Sequence, residues 1–172
     1  MNDTTVLCGS HIPVLTKLMP YVDKPVVELG IGWNSTPLLY WMCRDRGVHL
    51  FSFETDEKWA DKFEVFADTL YSSLYTTAEE WNLDVINRFI PDVPLSIVFV
   101  DHRPARKRRS SAMFFKDKAD FIVLHDSELA DNPAYKYTPI YGNFKYTYEY
   151  KSVGKPYTMI LSNKINLERI FQ

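Results

Sequence analysis

Apolar residues recur along this chain with two different periods. Ile12, Leu15, Leu18 and Met19 keep helical spacing over residues 11–22, Pro13 suits a first turn, and Pro20 marks the end, so the spacing predicts a leading amphipathic helix. Lys24-Pro25 then opens Val26-Val27-Glu28-Leu29, broken by Gly30 and Gly32, which reads as a short buried strand running into a tight turn. Residues 36–46 (TPLLYWMCRDR) predict a helix with Pro37 in its first turn and Gly47 as its stop, followed by a second strand over 49–53. Trp59, Phe63, Phe66 and Leu70 predict a helix over 57–70, with a third strand over 73–76 and a further helix over 79–89. LSIVFV at 95–100 and FIVL at 121–124 are continuous apolar runs, the pattern of strands buried on both faces of a parallel sheet. Beyond residue 130, residues 144–150 alternate aromatic with polar side chains; Gly154-Lys155-Pro156 and a run over 157–162 complete an antiparallel hairpin.

Alternating strands and helices with such an ending predict an α/β fold: a doubly wound, Rossmann-like sheet of about seven strands, mostly parallel with a C-terminal antiparallel hairpin. A chain of 172 residues, 46% hydrophobic, suffices for one core and is short for two, so residues 1–172 are expected to form a single domain. A net charge of -2 gives no overall pull toward nucleic acid or anionic membrane. Cys8 and Cys43 lack CxxC spacing, which argues against a disulfide framework or structural zinc. No apolar run is long enough to cross a bilayer and the N-terminus lacks a basic-then-apolar leader, so a cytoplasmic protein is expected.

In doubly wound sheets ligands bind at the carboxyl ends of the strands, where glycines let the backbone approach closely. Gly30 and Gly32 stand at that point, and the helix-terminal amides near Ser35 and Thr36 are expected to offer donors to an anionic group. Glu54 closes the second strand where a carboxylate can accept from ribose hydroxyls. Glu28 is a carboxylate inside an apolar strand, which is costly to bury without a task or a partner.

VVELGIGWNST followed by FSFETDE resembles the first two motifs of the class I S-adenosylmethionine-dependent methyltransferases. The resemblance covers about residues 10–165 as a topology and implies S-adenosylmethionine as cofactor. It assigns Glu28, Gly30 and Gly32 to the first motif, with Asn34 in place of the third glycine, and Glu54 to the ribose, with Asp56 as a substitute. For the adenine amino group it implies Glu79, Glu80 or Trp81, and it places His11, in Ser10-His11-Ile12-Pro13, over the cofactor pocket.

Strand four ends Val100-Asp101-His102-Arg103-Pro104 and strand five Leu124-His125-Asp126-Ser127-Glu128. Both ends of a parallel sheet face one crevice, so Asp101, His102, His125, Asp126 and, more distantly, Glu128 are candidates to meet there. A His or Asp at this point can strip the proton from an oxygen or nitrogen nucleophile. Alternatively Asp101 and Asp126 hold a hard cation such as Mg2+, as the resemblance to catechol-type O-methyltransferases implies. Ser127 stands where that type has Asn, which argues against the metal.

Arg103, Arg106, Lys107, Arg108 and Arg109 crowd the next helix start, where cations are unfavourable without an anion nearby; Arg103 and Arg106 are expected to grip an anionic part of the substrate. The same charges with Tyr135, Tyr137, Tyr141, Tyr146, Tyr148 and Tyr150 fit a nucleic-acid contact, although strand aromatics usually serve packing. Three functions remain open beside methyl transfer to a small or anionic acceptor. They are a non-catalytic cofactor- or partner-binding module, an NAD-dependent oxidoreductase, and nucleic-acid modification. Ser35 at the third glycine position of the dinucleotide fingerprint, and Glu28 inside the strand, weigh against the oxidoreductase.

Overall fold

The structure is a computed structural model and describes residues 9–76 and 81–172. Strand β1 (Val26–Leu29) is buried at all four positions and pairs in parallel with β2 (Leu50–Glu54) on one side and β4 (Leu95–Val100) on the other. With β3 (Tyr71–Tyr75), β5 (Ala119–His125), β6 (Tyr146–Tyr150) and β7 (Thr158–Ser162) these form one sheet in the order β3-β2-β1-β4-β5-β7-β6. β7 runs antiparallel to both of its neighbours. The predicted seven-stranded, mostly parallel sheet with a reversed C-terminal hairpin is therefore present.

Successive strand residues face opposite sides of the sheet, and helices cover both. Ile97, Phe99, Phe121 and Val123 pack under α1 (His11–Leu18) and α2 (Thr36–Arg46) through Leu15, Leu18, Leu39 and Met42. Val98, Val100, Ile122 and Leu124 pack under α4 (Leu83–Phe89) and α5 (Arg108–Phe115) through Ile86, Ala112 and Phe115. α3 (Glu57–Ala60) follows β2.

Helix α2 has the predicted bounds, and Gly47 takes the left-handed conformation (φ 65°) that ends it. The predicted helix over 57–70 is shorter: α3 is capped by the Asp56 carboxylate on Trp59 N–H, a 3-10 stretch covers 61–66, and Ala67 is extended. Asp68 stops the helix, because its carboxylate accepts from Leu70 N–H (2.7 Å) and from the Tyr40 hydroxyl (2.7 Å). The third strand accordingly begins at Tyr71 rather than residue 73. Within the helix predicted over 79–89, α4 begins at Leu83, capped by Asn82. The tyrosines pack: Tyr137 is fully buried and Tyr148 stacks on Phe171 at 4.6 Å.

Candidate active site

The turn after β1 is held from below by its own acids. Glu28 is fully buried opposite Ser52 in the β1–β2 register, accepts from Ser52 Oγ at 2.6 Å, and accepts from Thr36 Oγ1 at 2.9 Å. Thr36 Oγ1 accepts in turn from Gly32 N–H (3.0 Å), so strand, turn and helix α2 are tied through one carboxylate. Burial among neutral donors pushes the Glu28 carboxyl up to about 7. Gly30 has φ 98°, and a Cβ there would sit 2.6 Å from the Asp101 backbone carbon, so only glycine lets the turn cross the end of β4. Glu54 accepts from Ile31 N–H (2.9 Å) with one oxygen and from Thr55 and Asp56 N–H (2.6 and 3.1 Å) with the other. Asp56 is exposed and serves as the α3 cap. Ser35 and Thr36 correct the expectation of free helix-terminal donors: both amides already bond the Gly32 carbonyl (3.2 and 2.9 Å). Asn34 is exposed beside Trp33 in the turn.

At the ends of β4 and β5 lies an ionic cluster. Arg108 places one guanidinium nitrogen 2.8 Å from Asp101 Oδ1 and the other 2.9 Å from Asp126 Oδ2, while its Nε–H donates to the His102 carbonyl at 2.7 Å. His125 Nδ1 lies 3.3 Å from Asp101 Oδ1 and 3.2 Å from Asp126 Oδ1. Tyr135 donates its hydroxyl to Asp126 Oδ2 at 3.2 Å. Asp126 takes a left-handed backbone (φ 60°), a costly conformation for a non-glycine residue, and that turn carries its carboxylate back toward Asp101. The side chains of Arg108 and His125 are 6% and 7% exposed, those of Asp101 and Asp126 30% and 21%. Burial works against the His125 charge, but the two carboxylates outweigh it and raise the group to about 10. Burial likewise opposes ionisation of Asp126, and His125 with Arg108 outweighs it, holding the carboxyl at about 2. His125 is thus an imidazolium at neutral pH, which corrects the expectation that it is a general base.

His11 joins the cluster from the start of α1. Its ring centroid lies 4.9 Å from those of Phe99 and His125, and burial, then the His125 charge, push it down to about 4. Among the described residues neither of its ring nitrogens is within hydrogen-bond geometry of a partner. His102 is not brought in. Strand parity sends Asp101 and His125 to the α1 face and His102 to the opposite one, where it stacks on Trp81 at 4.0 Å and shares a hydrogen bond with Ser111 Oγ at 2.9 Å. Burial, then the Arg108 charge, lower it to about 3, a buried neutral imidazole with a structural task. Glu128 also has one, accepting from Tyr157 N–H at 2.7 Å. Arg103 and Arg106 are exposed and form no ion pair among the described residues. Arg108, two residues beyond Arg106, is the arginine that turns inward. Its signal was present in the sequence: Arg108, Ser111, Ala112 and Phe115 share one helical face, the buried one. Trp81 is buried beneath His102, its indole N–H without a partner among the described residues, and borders a groove of about 1000 Å³ with Tyr75, Thr76 and Asn82 at the end of β3. Glu79 and Glu80 lie outside the described residues.

Asp101, His125 and Asp126 bring one ligand-type atom each within 4.8 Å of one another. The donor set nevertheless does not fit a divalent cation. Arg108 already bridges both carboxylates, so an added metal would meet one fixed positive charge and would have to compete with it for the same oxygens.

A sheet of this order, with its glycine turn after β1 and carboxylates at the ends of β2, β4 and β5, has the class I methyltransferase fold, and solved methyltransferases share it. The O-methyltransferase TomG from Streptomyces achromogenes, solved with SAM, superposes with a TM-score of 0.66 at 14% identity over 90% of this chain and 78% of its own. An O-methyltransferase from Bacillus cereus, solved with SAH, gives 0.65 at 13% identity over 93% of this chain and 82% of its own. A human methyltransferase 10 domain containing protein gives 0.64 at 12% identity over 96% and 85%. At these identities the similarity is one of fold. No family model matches the chain, and no curated protein matches it. Among the described residues no helix is long and apolar enough to cross a membrane.

Proposed function

We propose that residues 1–172 act as one S-adenosylmethionine-dependent methyltransferase domain that transfers a methyl group to an oxygen or nitrogen of a small acceptor. The observation that carries this reading is the packing of the Gly30 turn directly against Asp101, which joins a nucleotide-type cradle to an ionic cluster at one sheet end. The cofactor supplies an electrophilic methyl on a sulfonium. Glu54 accepts from its ribose hydroxyls, as in other nucleotide sites built on doubly wound sheets. Glu28, Gly30, Gly32, Ser35 and Thr36 shape the turn, with Asn34 beside the methionine end. Trp81 borders the groove assigned to adenine. With that methyl supplied, Asp101 would take up the proton that the acceptor loses, or pass it to solvent. Asp101 and Asp126 orient the acceptor, Arg108 and His125 fix those carboxylates, and the rate comes from positioning.

Incubation with methyl-labelled S-adenosylmethionine and a panel of small amines, alcohols and phenols, reading S-adenosylhomocysteine release, tests the reading. Turnover with at least one acceptor is expected, unchanged by a chelator. Dependence on added Mg2+ would contradict the role given to Arg108, and binding without turnover on any acceptor would favour a non-catalytic module.

A further inference from the structure

The cations around the start of α5 are a motif that the crevice leaves unused. Arg108 turns inward, but Arg103 and Arg106 are exposed, Arg109 is half-buried, and none of these three pairs with an acid among the described residues. No acidic residue stands in the first turn of α5 or of the 3-10 turn before it. Positive charge therefore gathers at a helix start, where it is unfavourable unless an anion lies nearby. The carboxylates at the ends of β4 and β5 do not supply one, because Arg108 and His125 already hold them. The same stretch opens onto the groove beside α4. Lys107, Ser110 and Phe114 follow one another at helical spacing along its α5 wall. Val85 and Phe89 of α4 stand in the opposite wall, Phe89 being 53% exposed, and Tyr75, 40% exposed, lies at the β3 end. Lys107 gives one proton to the Trp81 carbonyl at 2.8 Å and keeps two for another acceptor. Asp84 is the one carboxylate lining the groove among the described residues. A volume of about 1000 Å³ suits a whole drug-sized ligand, so an adenine at the β3 end leaves the α4–α5 part open.

We infer that the α4–α5 groove and the cations at its edge bind single-stranded nucleic acid, with unstacked bases against Phe89, Phe114 and Tyr75 and phosphates on Arg103, Arg106 and Lys107. Such a strand alternates the two features that the surface complements, a flat ring and a negative charge. Any base offers a face to an aromatic side chain, and arginine grips phosphate through paired N–H groups. A duplex presents the same phosphates but keeps its bases stacked inside, out of reach of an apolar groove. The net charge of -2 supplies no general attraction for a polyanion, so binding has to come from a local patch of this kind. The inference concerns a surface beside the crevice and does not rest on the methyltransferase reading.

Calorimetric titration of the purified protein with a mixed-sequence oligonucleotide of about twelve nucleotides, as DNA and as RNA, tests it. The matching duplex, inorganic polyphosphate and phosphatidylglycerol vesicles are the other arms. Micromolar binding of a single strand is expected at about 50 mM salt, at least tenfold tighter than the duplex, weakening with added salt at a log–log slope of about -2 for three phosphates. Replacing Arg103→Gln and Arg106→Gln together is expected to cost at least tenfold and to flatten that slope. Phe89→Ser, at an exposed position, is expected to lose at least fivefold on the single strand and nothing on polyphosphate. Failure of both single strands to bind at about 100 μM overturns the inference. So does binding of duplex, polyphosphate or vesicles as tight as that of the single strand, or an unchanged single-strand affinity in Phe89→Ser. A parallel titration with S-adenosylhomocysteine separates the two readings: its failure to bind would count against the methyltransferase reading alone, and the ranking of the polyanions on the ligand-free protein would still decide this one.

Discussion

The two halves of the sheet end hold their acids by opposite means. Around β1 and β2, Glu28 and Glu54 are buried, and among the described residues every hydrogen-bond partner is a neutral hydroxyl or amide and neither acid forms an ion pair. Around β4 and β5, Asp101 and Asp126 are more exposed and each faces two positive groups. Neutral donors stabilise a buried carboxylate only partly, so Glu28 is pushed up, whereas cations hold Asp126 down. The first arrangement leaves a carboxylate whose bonds can be exchanged for ligand hydroxyls. The second leaves a rigid, charge-balanced platform. A binding half and an orienting half are thus distinguished by electrostatics before any ligand is considered.

The largest effect that separates them is expected from Arg108→Ala, which strands two carboxylates and the imidazolium between them. A loss of about 4 kcal/mol in urea unfolding is expected; a loss under about 1 kcal/mol would mean the ion pairs contribute no more than surface ones. Next is the pH dependence of Glu28. Its folded value, about 7, lies above the ordinary 4.5, so the folded state binds the proton more tightly, and stability falls as pH rises from about 4.5 through about 7. The fall is expected to reach about 3 kcal/mol and to vanish in Glu28→Gln. An unchanged slope in that variant would place the titration elsewhere. Smallest is Tyr135→Phe, which removes one neutral donor from the ion-paired half and is expected to cost about 1 kcal/mol, read by thermal unfolding.

Much of this was legible along the chain. Continuous apolar runs located β4 and β5, Pro37 and Gly47 bracketed α2, and two glycines after a strand located the turn. What periodicity does not carry is which way a residue faces once the element ends. Asp101 and His102 are adjacent and chemically similar candidates, and strand parity alone sends one to the crevice and the other to Ser111. The five cations around the start of α5 look alike in sequence, yet only Arg108 shares the buried helical face. Nor does residue type fix protonation: His125 reads as a base until the distances to two carboxylates are known.

The most direct measurement is calorimetric titration of the purified protein with S-adenosylmethionine and S-adenosylhomocysteine, with NAD as control and a Glu54→Ala variant beside it. Micromolar binding of both sulfur ligands is expected, with none of NAD, and a loss of about 10- to 100-fold in the variant through its missing ribose contacts. Absence of binding to either sulfur ligand by the folded protein, or preference for NAD, would contradict the assignment of the β1–β2 cradle and with it the proposed transfer reaction.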